Sequence, residues 1–276
     1  MNSQINRIIK TASVLALPLL AALSPARGQV IYRTGFEAPA FVAGLPLAGQ
    51  DGWIAPPVFS PDAAVITTDK PRLGKQTVRV FGADLVHQDF LSPLTGGYYD
   101  AIGSYRHSVD FDTGGKGTVL VSARVRIDGP RTPKGNNFFS ASIATRTTLT
   151  DGSTAGTGEL ALSSDGNAYG YSGNENAPTL LTHKPVRLGE WHELTVAVDF
   201  TDRTYSFFVD DDYLGTFAFD PNNGGLDYTT VFKRGSLLAY AGPDTVTLKK
   251  SDYSAHYDHF VIEAEEDTVG RDQDRE

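Results

Sequence analysis

The sequence has no cysteine in its 276 residues, so neither a disulfide nor a cysteine-based metal cage can form, and lipid anchoring through a cysteine is excluded. It has no basic excess either. Its 24 Lys and Arg stand against 33 Asp and Glu, a formal charge of -9; a chain built to wrap nucleic acid needs a basic surface. Beyond the N-terminal segment no stretch approaches the roughly 20 apolar residues of a membrane helix. No apolar stripe of helical period exceeds about two turns, and no repeat with a period of about 20–50 residues is visible, which disfavours α/β folds and propellers. What is present is a 40% hydrophobic, 11% aromatic chain. That is too apolar for intrinsic disorder and long enough to bury a large core in one large β domain or two small ones.

The two ends read differently from the middle. Arg7 and Lys10 precede a short apolar run from Ala12 to Leu23, and small residues at Ala26 and Gly28 follow it. This is the pattern of an export signal over residues 1–28, with cleavage leaving Gln29 as the mature N-terminus. The run is short for a hydrocarbon layer of about 30 Å, and Pro18 interrupts it. The mature chain is therefore expected to have no membrane span and to reside in the periplasm or outside the cell. Residues 263–276 are nearly all charged and lack apolar period, which predicts a disordered acidic tail. Residues 29–262 form one block without a low-complexity linker.

Alternation decides the fold class. Val119, Val121, Ala123, Val125 and Ile127 share one side of a strand, with Ser122, Arg124 and Arg126 on the other. Leu194, Val196, Val198 and Phe200 repeat the pattern. Arg203–Asp210 and Leu214–Phe219 then complete a three-strand meander rich in aromatic and β-branched residues. Short strands are also expected at Val30–Phe36, Ala63–Thr67, Thr77–Phe81, Tyr105–Phe111, Phe138–Arg146, Glu159–Ser163, Ala168–Tyr171, Leu237–Ala241 and Tyr257–Ile262. Turn dipeptides such as Asp128-Gly129 and Asp165-Gly166 punctuate them. This predicts an all-β fold, an antiparallel sandwich of two packed sheets.

Several of these residues carry a resemblance. Gly35-Phe-Glu-Ala-Pro39, Gly49-Gln-Asp-Gly-Trp53, and the run Trp191-His-Glu-Leu-Thr-Val-Ala-Val-Asp199 followed by Phe207-Phe-Val-Asp210 and Leu214-Gly215 resemble the concanavalin A-like lectin/glucanase superfamily. Within it, they are similar to the LamG-like jelly rolls of exported bacterial proteins. The resemblance implies a two-sheet jelly roll with a concave face, in a group that includes sugar-binding modules, adhesion domains and polysaccharide-cleaving enzymes. It also implies that an early Glu and a late Asp share a structural calcium, which here places Glu37 and Asp258 as metal ligands. Calcium takes six to eight hard oxygens, so backbone carbonyls and water would have to complete the shell.

The chain departs from the catalytic patterns of that group. The Glu-x-Asp-x-x-Glu pattern of the glucanases is absent, as are the Arg-x-Glu-x-Arg, Gln-Ile-His and Tyr-x-Lys-x-Gly-x-Tyr signatures of jelly-roll alginate lyases. Loop aromatics and polar side chains remain. Trp53, Tyr98, Tyr99, Tyr105 and Tyr171 would stack on sugar rings, and Arg124, Arg126 and Asn137 would hydrogen-bond hydroxyls or meet acidic groups. The expectation is an exported module that binds a polysaccharide or cell-surface glycan without a chemical step. The alternatives are a polysaccharide lyase or glycoside hydrolase working on the concave face through a Tyr or His and an Arg, and a structural component of an extracellular matrix.

Overall fold

Every second residue of most strands turns inward, and the inward set is what joins the two layers. The computed structural model describes residues 28–91, 98–172, 179–219 and 225–265; residues 1–27 of the expected export segment lie outside them. In chain order the strands are β1 (Gln29–Thr34), β2 (Trp53–Ile54), β3 (Ala64–Thr67), β4 (Thr77–Phe81), β5 (Val86–Leu91), β6 (Tyr98–Asp112), β7 (Thr118–Asp128) and β8 (Phe139–Leu149). They continue as β9 (Thr154–Ser163), β10 (Asn167–Ser172), β11 (Thr179–Pro185), β12 (His192–Asp199), β13 (Thr204–Val209), β14 (Asp212–Ala218), β15 (Tyr228–Ala241) and β16 (Ser254–Glu265). Sheet A has the order β14-β13-β12-β7-β16-β4-β3, with β1 also on β16; sheet B has the order β11-β10-β9-β8-β15-β6-β2, with β5 also on β6. The expected antiparallel two-sheet sandwich is the fold observed.

Strand β7 shows why. Val119, Val121, Ala123, Val125 and Ile127 are buried and the intervening residues are half-exposed, so one face packs on sheet B while the other meets solvent. Leu194, Val196 and Val198 of β12 and Tyr205, Phe207 and Val209 of β13 continue the same inner layer. From sheet B it is met by Tyr105, Leu237, Ile143 and Leu160, which lie in register across β6, β15, β8 and β9. At Gly235 the layers close up: a Cβ there would lie 2.6 Å from Phe260 Cζ and 3.2 Å from Val121 Cγ1.

The most specific piece of the motif is a hairpin lock. His192 Nδ1 pairs with Asp210 Oδ2 at 2.7 Å, and the Glu193 N–H donates to Asp210 Oδ1 at 2.9 Å. Asp210 and Asp211, both at positive φ, form a two-residue turn that matches the twist of β13 and β14. The motif is therefore read as architecture, with no chemical role required of it.

Three expectations are corrected here. Trp53 is fully buried: its ring meets Phe260 at 5.1 Å and Phe36 at 5.9 Å, and its indole N–H donates to Tyr32 Oη at 3.0 Å. Tyr105 is also fully buried, with its hydroxyl donating to the Ser60 carbonyl at 3.1 Å. Neither ring face is available to a sugar, because β6 turns Tyr105 inward and Trp53, paired with His107, closes the edge of the same core. Strand β16 also runs through Glu265, with Glu263 opposite both Val30 and Leu120, so the acidic tail does not begin at 263. Residues 266–276 lie outside the described residues.

Candidate functional site

The outer faces of the two sheets differ in kind. On sheet A the outward arginines of β7 are matched. Arg124 pairs with Glu193 at 2.6 Å, and Arg126 holds Asp128 through two nitrogens at 2.7–3.1 Å. His256 and Lys70 also reach Asp128, at 3.3 and 3.2 Å. Burial alone would push the Asp128 carboxyl up, but the bonds from His256, Arg126 and Lys70 outweigh it and hold the group well below the usual carboxylate range. Arg124 and Arg126 are thus committed to acids of their own sheet, and they lie on the sheet opposite Tyr171. This corrects their expected place beside it: alternation along β7 puts them on a common face, but only the pairing of β7 with β12 and β16 says which sheet that face belongs to.

Sheet B presents a buried polar face instead. One row of cross-strand neighbours runs Arg106, Ser236, Ala144, Glu159, Tyr171 across β6, β15, β8, β9 and β10. The next row runs Ser104, Leu238, Ser142, Ala161, Tyr169. These residues alternate with the core set, so they point away from the sandwich. Ser142 and Tyr240 converge on Glu159: the Ser142 hydroxyl donates to Oε1 at 2.7 Å and the Tyr240 hydroxyl to Oε2 at 3.2 Å. Burial pushes the Glu159 carboxyl up, opposed by those two hydroxyls and by the charge of Arg146. The result is a carboxyl biased toward its protonated form and fixed at both oxygens.

Of the residues expected to bind sugar, Tyr171 is the one this face retains, half-buried and packed beside Tyr169 and Ala161. Asn137 is buried in the loop before β8, where Thr132, Arg131 and Gly135 fasten that loop to Ser164 and Asp165. The side chains of Tyr98 and Tyr99 lie outside the described residues. Arg106, Ser142, Arg146, Glu159, Arg234 and Tyr240 were not singled out from sequence. A signal existed: Ser140, Ser142, Ala144 and Arg146 alternate strictly with Ala141, Ile143, Thr145 and Thr147, a polar register too poor in acids to be an ordinary solvated face.

Glu37 and Asp258 converge, as the pairing of β1 with β16 requires, but on backbone N–H groups. Asp258 Oδ2 accepts from Arg72 and Leu73 at 2.9 and 2.8 Å, and Oδ1 from His259 at 2.7 Å. Glu37 Oε1 accepts from Lys75 and Gln76 at 2.6 and 2.9 Å. Together they strap residues 72–76 to the sandwich. Three of the four carboxylate oxygens already hold donors, and no group of three or more His, Asp or Glu suited to a metal occurs among the described residues. As arranged, the corner does not fit a calcium cage. Calcium there is a proposal that chelation decides: the strap as described predicts an unchanged melting temperature in EDTA, and a fall of several degrees would establish the cation.

No protein-family model matches the sequence, and no curated protein matches it. Solved structures match the fold. An endo-1,3-β-glucanase from Streptomyces sioyaensis superposes with a TM-score of 0.56 at 10% identity, over 88% of this chain and 98% of its own. A carbohydrate esterase from a Shiga toxin-encoding bacteriophage gives 0.53 at 12%, over 86% and 99%. An endo-β-1,4-glucuronan lyase from the fungus Trichoderma reesei gives 0.51 at 8%, over 85% and 95%. At such identities the likeness is one of fold, a two-sheet antiparallel jelly-roll sandwich.

Proposed function

We propose that the outer face of sheet B binds a glycan chain, with Tyr171 as the stacking surface and the half-buried Arg106 and the carboxyl of Glu159 along its row as polar partners, Ser142 and Tyr240 fixing Glu159 from the buried layer. The observation that carries this reading is the row from Arg106 to Tyr171, in which Ser236 and Ala144 form a low floor between longer side chains. Adjacent strands are about 4.8 Å apart, so Arg106 and Glu159 arise about 14 Å apart. That leaves room for a sugar ring above the two small residues. Buried hydroxyls and a fixed carboxyl supply the few oriented polar groups that such a site needs. The solved relatives of this fold include proteins named for glucan, glucuronan and carbohydrate-ester substrates, which is consistent with the reading. The test is retention on a panel of neutral and acidic polysaccharides, with wild type retained and Tyr171→Ala weakened at least tenfold.

Glu159 favours a second reading of the same face, cleavage of the bound chain. A carboxyl that burial pushes up can give its proton to a departing glycosidic oxygen, and new reducing or unsaturated ends in the same incubations would reveal it.

We also place the protein outside the cytoplasm. The N-terminal charge, apolar run and small residues support export, and no helix among the described residues is long and apolar enough to cross a membrane. N-terminal sequencing of the mature protein is expected to start at Gln29; a chain that still begins at Met1 overturns this.

A further inference from the structure

A third row crosses the outer face of sheet B next to Glu159, and two arginines meet in it. Arg234 on β15 lies directly opposite Arg146 on β8 and, on its other side, opposite Ser108 of β6. Arg106 shares the face, opposite Ser236, two residues along β15 from Arg234. All three side chains are half-buried. Such neighbours are about 5 Å apart at the backbone, and like charges placed so destabilise a sheet. Their mutual repulsion shows in their acidity. Burial, then the charges of Arg106 and Arg146, lower Arg234 to about 10, and burial and Arg146 lower Arg106. Neither Arg106 nor Arg234 forms an ion pair among the described residues, and Arg234 Nε is buried with no hydrogen-bond partner. The contrast with sheet A, where Arg124 and Arg126 each hold an acid, is internal to one molecule whose overall charge is -9. A chain with a surplus of carboxylates has left Arg106 and Arg234 without one among the described residues.

We propose that Arg106, Arg146 and Arg234 form an anion subsite, and that the glycan bound on this face is an acidic one carrying uronate carboxylates or sulfate esters. The inference rests on the outer face of sheet B being the glycan site and names the chemical class of its ligand. A guanidinium fork matches the two oxygens of a carboxylate or sulfate, and an incoming anion relieves the repulsion between the crowded guanidinium groups. Burial pushes the Glu159 carboxyl beside Arg146 up, which weakens both its pairing with the cluster and its repulsion of an anionic ligand.

The full chain is titrated with an oligogalacturonate, a sulfated galactan oligosaccharide and a neutral β-glucan oligosaccharide, at low and at physiological salt. Wild type is expected to prefer an acidic arm by at least tenfold at low salt, with the preference shrinking as salt rises; the two acidic arms tell carboxylate from sulfate. In the Arg106→Gln/Arg234→Gln variant the acidic-to-neutral affinity ratio is expected to fall at least tenfold. The same variant without ligand is expected to melt at a higher temperature than wild type, since two crowded charges are gone; this also reports that it folds. A wild type that binds the neutral oligosaccharide as well as the acidic ones overturns the anion subsite, as does a variant that keeps its ratio. In either case a loss on Tyr171→Ala still upholds the glycan face. Acidic binding that survives both Tyr171→Ala and the double arginine variant overturns both, and so does the absence of binding in every arm.

Discussion

Trp53→Ala is expected to lower the unfolding free energy by about 3–5 kcal/mol, the range for emptying a buried aromatic site, while each folded molecule binds glycan as wild type does. The ring is enclosed by Phe36, Phe260, Tyr32 and His107, elements of both sheets, so the cavity left behind cannot collapse without moving a sheet edge. Its indole N–H also supports Tyr32 Oη, which in turn donates to Asp51 Oδ2 at 2.7 Å. Removing the ring therefore costs packing and part of a hydrogen-bond chain together. Urea unfolding measures the first half of the prediction and affinity electrophoresis, corrected for folded fraction, the second. A variant of wild-type stability that no longer binds would mean that the ring faces the ligand after all.

Glu159→Gln is expected to separate binding from any cleavage. The amide keeps the shape, its oxygen accepting from one of the Ser142 and Tyr240 hydroxyls and its N–H donating to the other, so affinity should change only a few-fold. It cannot release a proton, so the appearance of new chain ends should drop by roughly 10²–10⁴-fold, the usual contribution of a general acid. The pH dependence has a definite sign. The folded carboxyl is raised above its unfolded value, so the fold carries no ionisation cost at low pH and loses stability as pH rises from the unfolded value through the folded one. The glutamine variant lacks that loss, and its stability should exceed that of wild type increasingly over this window. Equal pH profiles for the two proteins would show that Glu159 is not held toward its neutral form. Equal rates of chain-end formation would remove it from the chemistry.

The sandwich was legible because its signal is local. Strand β7 alternates over its whole length, and the β12–β13–β14 meander follows from three such runs in succession. Period-two patterns sort residues onto faces without saying which face is covered, and the candidate site was misplaced for that reason. Tyr105, Arg106 and His107 illustrate it: Tyr105, expected to stack on a sugar, belongs to the core, and His107 stacks on Tyr32 at 3.6 Å and meets Trp53 at the edge of that core. The residue between them faces out. Likewise Arg124 and Arg126 look like a cationic face until pairing with β12 brings Glu193 beside Arg124 and the end of β7 returns Asp128 to Arg126. Long-range pairing, which joins β8 to β15 across the chain, assembles Arg146 with Arg234 and has no local trace. Strands β5 and β11 escaped notice because Val86–Leu91 and Thr179–Pro185 mix polar and apolar residues without regular alternation.

The measurement that bears most directly on the account is a comparison of one substitution on each outer face, read by retention of the same polysaccharide in affinity electrophoresis. Tyr171→Ala on sheet B is expected to reduce retention at least tenfold with the melting temperature changed by only a few degrees, while Arg124→Ala/Arg126→Ala on sheet A leaves retention as in wild type. Retention lost in the sheet A variant and kept in the Tyr171 variant would place the ligand on the other side of the molecule and contradict the assignment.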